Sequence, residues 1–149
     1  MADSDLIKLY SGRILALAAA IPHLGRLDAP DGSARRRAPL CGSTVSVDVV
    51  MADGRVAEFA QDVKACALGQ AAASMVGAVV VGLDAATIAR GRDQLRAMLK
   101  EGGPVPDAPF DGLEVLEPAR DYANRHGSIL LAFEATLDAI QAARTADCA

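Results

Sequence analysis

Two cysteines stand where the sequence favours thiol chemistry. Cys41 lies just before a segment with strand periodicity, and Cys66 directly follows the return strand predicted for the same hairpin. Because the two ends of an antiparallel hairpin lie side by side, we expect the two sulfur atoms close together. A thiolate near a helix N-terminus is stabilised by the partial positive charge there, and such thiolates bind metal. The alternative is that both are small buried apolar residues, as free cysteines often are.

A histidine at the start of the last predicted helix is a third candidate. His126 can serve there as a metal ligand, a general base, or a capping residue on the surface. Cys148 is the penultimate residue, and we expect an exposed thiol in a frayed tail. The run from Arg35 to Arg37 is typical of a solvated loop. The sequence contains no phosphate-binding glycine loop, nucleophile elbow or HExxH zinc helix.

A helix and a long loop are predicted ahead of the first of these cysteines. Apolar residues at helical spacing predict a helix over residues 4–21, which Pro22 ends. From His23 to Leu40 the chain is rich in Pro, Gly, Asp and Arg, and this composition predicts a loop.

A β-hairpin is predicted between the two cysteines. Apolar and polar residues alternate over 44–51, which predicts a strand, and Asp53-Gly54 is a strong hairpin turn signal. A return strand is expected over about 55–65, with Gln61 interrupting its alternation. The residues expected on one face of that strand are Ala57, Phe59 and Val63.

The rest of the chain has helical periodicity. The expected segments are Gln70–Val81, Asp84 to about Lys100, a short turn near Leu113–Leu116, and Ser128–Arg144. The order of helix, strands and helices predicts an α+β domain. In it, a small antiparallel sheet of about three strands packs against several helices.

Length and charge exclude several classes of protein. The chain has 149 residues, which predicts one domain over 1–149. A net charge of −4 argues against a general nucleic-acid-binding protein, and no apolar run is long enough to span a bilayer. We therefore expect that the protein binds neither nucleic acid nor a membrane. Three cysteines are an odd number for a disulfide framework, and the first apolar run fits a helix better than a signal peptide. We therefore expect a cytoplasmic protein.

Several short motifs, taken in order, resemble the U-type iron–sulfur cluster scaffold family, which includes the NifU N-terminal domain. The chain is more similar to the SufU-like than to the IscU-like branch, because the loop between Gly102 and Leu116 is long. The matching segments span nearly the whole chain: Leu9-Tyr10, Pro22–Leu27, Pro39–Gly42, Asp53–Val56, Cys66–Met75 and His126–Leu130. The resemblance implies a SufU/IscU-like fold.

The resemblance also implies a site of three cysteines and one aspartate that holds zinc or a nascent cluster. In this chain the aspartate position is Ser43, and the third cysteine position is placed at Gly127. The implied ligands that remain are Cys41, Cys66 and the adjacent His126, for an iron–sulfur cluster or zinc. A fourth ligand would be water, the remaining cysteine or a partner group. A second subunit, in a homodimer, or small thiols could also complete a cluster.

The implied function is that of a scaffold rather than an enzyme. Such a protein binds an iron–sulfur cluster or metal transiently, receives sulfur from a cysteine desulfurase, and passes the product to cluster-accepting proteins. Two alternatives follow from the missing ligands. The chain could be a degenerate homologue that acts as an interaction or regulatory partner of the desulfurase, or a carrier of persulfide sulfur on one of its cysteines.

Overall fold

The computed structural model describes the backbone of residues 11–40 and 42–148, and the side chains of those residues up to Thr145. Residues 4–10 of the first predicted helix lie outside this part. The elements are α1 (Gly12–Ala19), β1 (Gly32–Arg37), β2 (Thr44–Ala52), β3 (Arg55–Lys64), α2 (Ala67–Val79), α3 (Ala85–Lys100), a 3₁₀ helix (Asp111–Asp121) and α4 (Ala123–Cys148).

The three strands form one antiparallel sheet in the order β1-β2-β3, and helices pack against it. The core face of β2 carries Val45, Val47 and Val49, which are all buried, and α4 lies across β1 and β2. The predicted α+β class is therefore confirmed. No helix in the described part of the chain is long and apolar enough to cross a membrane.

The first strand was not expected from the sequence. The segment from His23 to Leu40 was predicted to be a loop, but β1 pairs with β2 from Gly32 to Arg37. Its three consecutive arginines hide the alternation on which a strand prediction rests. What places the strand is contact with α4: a Cβ on Gly32 would lie 2.1 Å from the carbonyl oxygen of Ala139. Only a residue without a side chain permits this approach.

The interrupted alternation in β3 has two separate causes. Gln61 is fully buried on the core face opposite Val47, and its Nε2 donates to the carbonyl oxygens of Pro22 and Ala73, each at 3.1 Å. A β-bulge then leaves Ala57 without a partner on β2. Ala57 is therefore exposed rather than aligned with Phe59 as expected, because one extra residue reverses the parity of a strand.

The helices after the sheet begin earlier than the sequence suggested. Helix α2 begins at Ala67 rather than Gln70, and α4 begins at Ala123 rather than Ser128. The short turn expected near Leu113–Leu116 is part of the longer 3₁₀ helix. Helix α3, by contrast, begins where expected, directly after its predicted cap Asp84. These starts matter because they determine which side chains at the helix N-termini face the end of the sheet.

A buried carboxylate on the other face of the sheet holds the chain segment that precedes β1. Asp48 accepts hydrogen bonds from Arg26 (Nε at 2.7 Å and Nη2 at 2.9 Å), the Leu27 amide (3.0 Å) and the Ser33 hydroxyl (2.6 Å). The bonds from Arg26 and Ser33 outweigh the effect of burial and lower the pKa of Asp48 from its ordinary value of 3.8 to about 2.

We predict that Asp48→Asn lowers the free energy of unfolding at neutral pH by about 1–2 kcal/mol, with the loss moderated because Arg26 is exposed. The folded-state pKa is below the unfolded one. The contribution of the carboxylate is thus complete above about pH 4 and disappears as the pH falls toward 2. Urea unfolding at several pH values measures this. Asp53→Asn, the same change in an exposed hairpin turn, is the control. An equal pH dependence in all three proteins would contradict the prediction.

Candidate functional site

A thiol and two hydroxyls meet at one end of the sheet. The Cys66 Sγ lies 3.5 Å from the Ser128 Oγ, and the Ser128 hydroxyl donates to the Ser43 Oγ at 3.0 Å. Both serines are buried, whereas Cys66 is only partly buried. The three side chains come from different parts of the chain, so the cluster exists only in the folded protein.

The ends of β2 and β3 position Ser43 and Cys66. Thr44 pairs with Lys64, so the residue before β2 and the residues after β3 emerge at the same edge of the hairpin. Ser43 is held by its carbonyl oxygen, which accepts from the Ala38 amide at 2.8 Å. Cys66 is the N-cap of α2 and makes no side-chain capping bond, so its sulfur is available to other groups.

Cys41 lies outside the described residues. The expected proximity of Cys41 and Cys66 therefore remains a prediction. The chain on either side is ordered by backbone bonds, since the Gly42 amide donates to the Ala38 carbonyl at 2.8 Å and Gly42 adopts a positive φ of 72°.

Helix α4 reaches the cluster because Gly69 allows it to approach α2. A Cβ on Gly69 would lie 2.5 Å from the Ser128 Oγ and 3.1 Å from the Ser128 carbonyl oxygen. Real Cβ atoms essentially never come within 3.0 Å of another heavy atom. The glycine three residues after Cys66 therefore determines how closely Ser128 can approach the thiol.

His126 has a different environment from the cluster. Its Nε2 donates to the carbonyl oxygens of Ala119 at 2.9 Å and Arg120 at 3.1 Å, at the end of the 3₁₀ helix. Its Nδ1 is buried and has no hydrogen-bond partner within the described part of the chain. Two residues along an α-helix correspond to a rotation of about 200°, so His126 and Ser128 point to opposite sides of α4. This geometry argues against His126 as a ligand beside Cys66.

The side chain that α4 presents to Cys66 is that of Ser128, not of Gly127. Among the described residues, a Cβ built on Gly127 meets only the Cβ of Ala38, at 3.8 Å. The geometry therefore favours Ser128 as the third ligand position, one residue beyond the placement made from the sequence. Sequence reasoning missed Ser128 because Gly127 and Ser128 are adjacent, and only the rotational position on the helix distinguishes them.

The side-chain donor atoms of Cys66, Ser43 and Ser128 do not by themselves make a zinc site. Within the described residues, no three His, Cys, Asp or Glu side chains are grouped so that they could hold a metal ion. Neutral hydroxyls are weak ligands beside thiolate or imidazole, which zinc prefers. With Cys66 as the thiol and two serines as its neighbours, the arrangement suits a loosely held ligand better than a permanent structural ion.

Comparison with known proteins places the chain among structures of similar fold. No protein-family model and no curated protein matches it. The N-terminal part of a NifU-like protein from Brucella abortus, described as nitrogen-fixing, is 42% identical, with a TM-score of 0.91 over 95% of this chain and 98% of that one.

Two other solved structures share the fold at lower identity. A protein from the thermophile Fervidobacterium islandicum AW-1, described as an iron–sulfur cluster assembly scaffold for the SUF system, is 15% identical (TM-score 0.79, 90% of this chain and 98% of that one). A protein described as hypothetical is 22% identical (TM-score 0.72, 91% of this chain and 98% of that one).

We predict that Gly69→Ala lowers the free energy of unfolding by about 1–3 kcal/mol, because the new methyl group overlaps Ser128. Gly12→Ala is the matched control. Gly12 is also in a helix, but no described residue lies within 4 Å of its Cβ position, so that change should be neutral or stabilising by up to about 1 kcal/mol. Chemical unfolding measures both values. A Gly69→Ala protein as stable as the Gly12→Ala protein would refute the close approach.

A second prediction concerns the position of the third ligand. Ser43→Asp combined with Ser128→Cys should raise zinc affinity by more than about 100-fold, since two ligands are gained. The gain should increase with pH because the added thiol must lose its proton. Ser43→Asp combined with Gly127→Cys is the control and should gain only what Ser43→Asp gains alone. Competition with a chelator at several pH values measures both, and equal gains would contradict the assignment to Ser128.

Proposed function

Because this chain belongs to the family of NifU-like and SufU-like iron–sulfur cluster assembly scaffold proteins, we propose that it holds iron–sulfur cargo at the Cys66 end of the sheet. The observation that carries this proposal is the meeting of Cys66, Ser43 and Ser128 from three separate segments. In the family pattern recognised from the sequence, those segments supply the ligands.

The proposed cargo ligands are the thiolates of Cys66 and Cys41. Cys66 caps the N-terminus of α2, where the helix dipole stabilises a negative charge on sulfur. Its partial exposure gives an incoming iron atom or sulfur donor access to the thiol. Cys41 is two residues before Ser43 in the chain. We assign His126 a supporting role, since its Nε2 is engaged by two backbone carbonyls.

The two serines explain why the cargo would be held only transiently. A neutral hydroxyl coordinates iron weakly, but it donates a hydrogen bond well to a thiolate or a sulfide. Ser128 has one hydroxyl proton, which it donates to Ser43, so the Cys66 thiol donates to the Ser128 Oγ in this arrangement. When the thiol loses its proton, rotation of the Ser128 hydroxyl can turn its proton to the sulfur, which stabilises the thiolate without occupying an iron coordination position. A site of this kind releases a cluster more readily than one with four strong ligands.

The proposed partners are a cysteine desulfurase, which supplies sulfur, and proteins that accept the finished cluster. Sulfur transfer to Cys66 is chemically balanced without a further reagent. The Cys66 thiolate attacks the outer sulfur of the desulfurase persulfide, the sulfur–sulfur bond of the donor breaks, and the desulfurase thiolate leaves as a new persulfide forms on Cys66. The second candidate function is that of a persulfide carrier that builds no cluster. It is favoured by the neighbours of the Cys66 thiol, which are the hydroxyls of Ser43 and Ser128.

Iron and acid-labile sulfide bound to anaerobically purified protein test the proposal. We predict that Cys66→Ser and Cys41→Ser each reduce both by about 10-fold or more, since each removes a primary ligand. Cys148→Ser, the same change at the third cysteine, is the matched control and should leave both unchanged.

The possible results separate the candidate functions. Iron and sulfide that persist in Cys66→Ser would overturn the assignment of the ligands. Wild-type protein that gains a labelled persulfide from the desulfurase but never holds iron would favour the carrier. Wild-type protein that binds the desulfurase but gains neither would favour the degenerate regulatory homologue.

A further inference from the structure

The three consecutive arginines of β1 divide between the two faces of the sheet. Arg36 points toward α4, where it pairs with Glu134 at 3.1 Å and Asp138 at 3.4 Å. Because side chains alternate along a strand, Arg35 and Arg37 lie on the opposite face. Neither forms an ion pair with another described residue. The run is therefore partly structural, and Arg35 and Arg37 carry charges that no described residue neutralises in an ion pair.

These two charges belong to a basic row beside the candidate site. Arg37, Thr44 and Lys64 are directly opposite one another across the three strands, which places the outer two about 10 Å apart. Lys64 likewise forms no ion pair with a described residue. It is two residues before Cys66. The guanidinium of Arg37 lies 3.8 Å from the Cβ position of Gly42, next to Ser43.

A polar depression of about 240 Å³ lies next to the basic row. Its lining residues are Arg26, Arg35, Thr44, Ser46, Asp62 and Lys64. The charge of Arg26 is balanced by Asp48, so Arg35 and Lys64 share one carboxylate among the described lining residues, that of Asp62. The depression and Arg37 together carry an excess of positive charge, although the whole chain has a net charge of −4. Such a surface favours carboxylate groups.

The candidate site beside this basic row has fewer strong ligands than an iron–sulfur cluster needs. A [2Fe–2S] cluster takes four ligands, which are commonly thiolates. The segments at this site offer the thiols of Cys41 and Cys66, with hydroxyls at Ser43 and Ser128. The third cysteine, Cys148, ends α4 about 30 Å along the helix from Ser128. Two strong ligands must therefore come from another molecule. A carboxylate-bearing small thiol satisfies both conditions, because its sulfur supplies the missing ligand while its carboxylates bind the cations.

We propose that two molecules of a carboxylate-bearing low-molecular-weight thiol, of the glutathione type, complete the cluster site, with their carboxylates bound by Arg35, Arg37 and Lys64. The inference rests on the function proposed above. Two ferric ions, two sulfides and four thiolates assemble with no change of oxidation state, and each thiol releases its proton to solvent. The thiol acts as a removable ligand, which keeps the cluster transferable.

The first experiment measures carboxylate binding without iron. Its probe is S-methylglutathione, which keeps both carboxylates but has no thiol that could bind iron as a thiolate, titrated into apo-protein by NMR at low and high salt. We expect weak, salt-sensitive binding that falls about 10-fold in Arg37→Gln/Lys64→Gln, since two exposed charge contacts are lost. Arg144→Gln is the matched control. It is also exposed, and α4 passes over Gly32 at Ala143, so this charge lies toward the other end of β1 from Arg37.

The second experiment measures cluster formation by visible circular dichroism. Anaerobic protein is mixed with ferric iron and sulfide and with either glutathione or the uncharged thiol 2-mercaptoethanol. We expect wild-type protein to need about 10-fold less glutathione than 2-mercaptoethanol, and the double glutamine variant to lose this preference. Arg37→Lys/Lys64→Arg keeps both charges and should restore it. No preference in wild type, or an undiminished preference in the glutamine variant, would overturn the inference.

A third protein separates this inference from the proposed function. Ser43→Asp/Ser128→Cys supplies the missing ligands and should form a cluster without any added thiol. If it does so while wild type shows no preference for glutathione, the inference fails and the scaffold function stands. If neither protein forms a cluster with any thiol, both proposals fail.

Discussion

The position of α4 is the constraint on which the rest of the structure depends. This helix lies across β1 and β2 and against α2, and two glycines permit it to approach so closely. Gly32 admits the backbone of α4 onto the edge strand, and Gly69 admits Ser128 onto the start of α2. Because packed interiors have little free volume, a methyl group at either position would displace the helix. The candidate site and the edge strand thus depend on the same contact.

Polar side chains serve as anchors on both faces of the sheet. Gln61 holds the carbonyl oxygens of Pro22 and Ala73 on the core face, and Asp48 holds Arg26 and Leu27 on the other. A buried polar group is costly unless it is hydrogen-bonded. Any other course of the connecting chain would break the hydrogen bonds of Gln61 or Asp48 and is therefore disfavoured. No residue from Ile21 to Asp31, between α1 and β1, is buried, so these bonds rather than core packing determine where the segment runs.

The site combines the family fold with one thiol and two hydroxyls. The chain keeps the strand ends and helix N-termini that bring Ser43, Cys66 and Ser128 together, but two of these three positions carry hydroxyls. Replacing a strong ligand by a hydroxyl preserves the shape of the site while it weakens binding of soft metals. In the binding mode proposed above, an external anionic thiol supplies the ligands that this site lacks, and the cations beside the same strand ends bind its carboxylates.

The sequence by itself determined the elements whose residues alternate or repeat with a regular period. The hairpin, the long helices, the α+β class and the candidate Cys66 all follow from such patterns and from turn and cap residues, which act locally. Only the tertiary structure decided that Gly32–Arg37 is a strand and that Ser128, rather than Gly127 or His126, faces the thiol. Both outcomes depend on where α4 packs. A contact between residues about 60 to 100 positions apart leaves no periodic trace in either segment, since it arises from the shapes of the two surfaces.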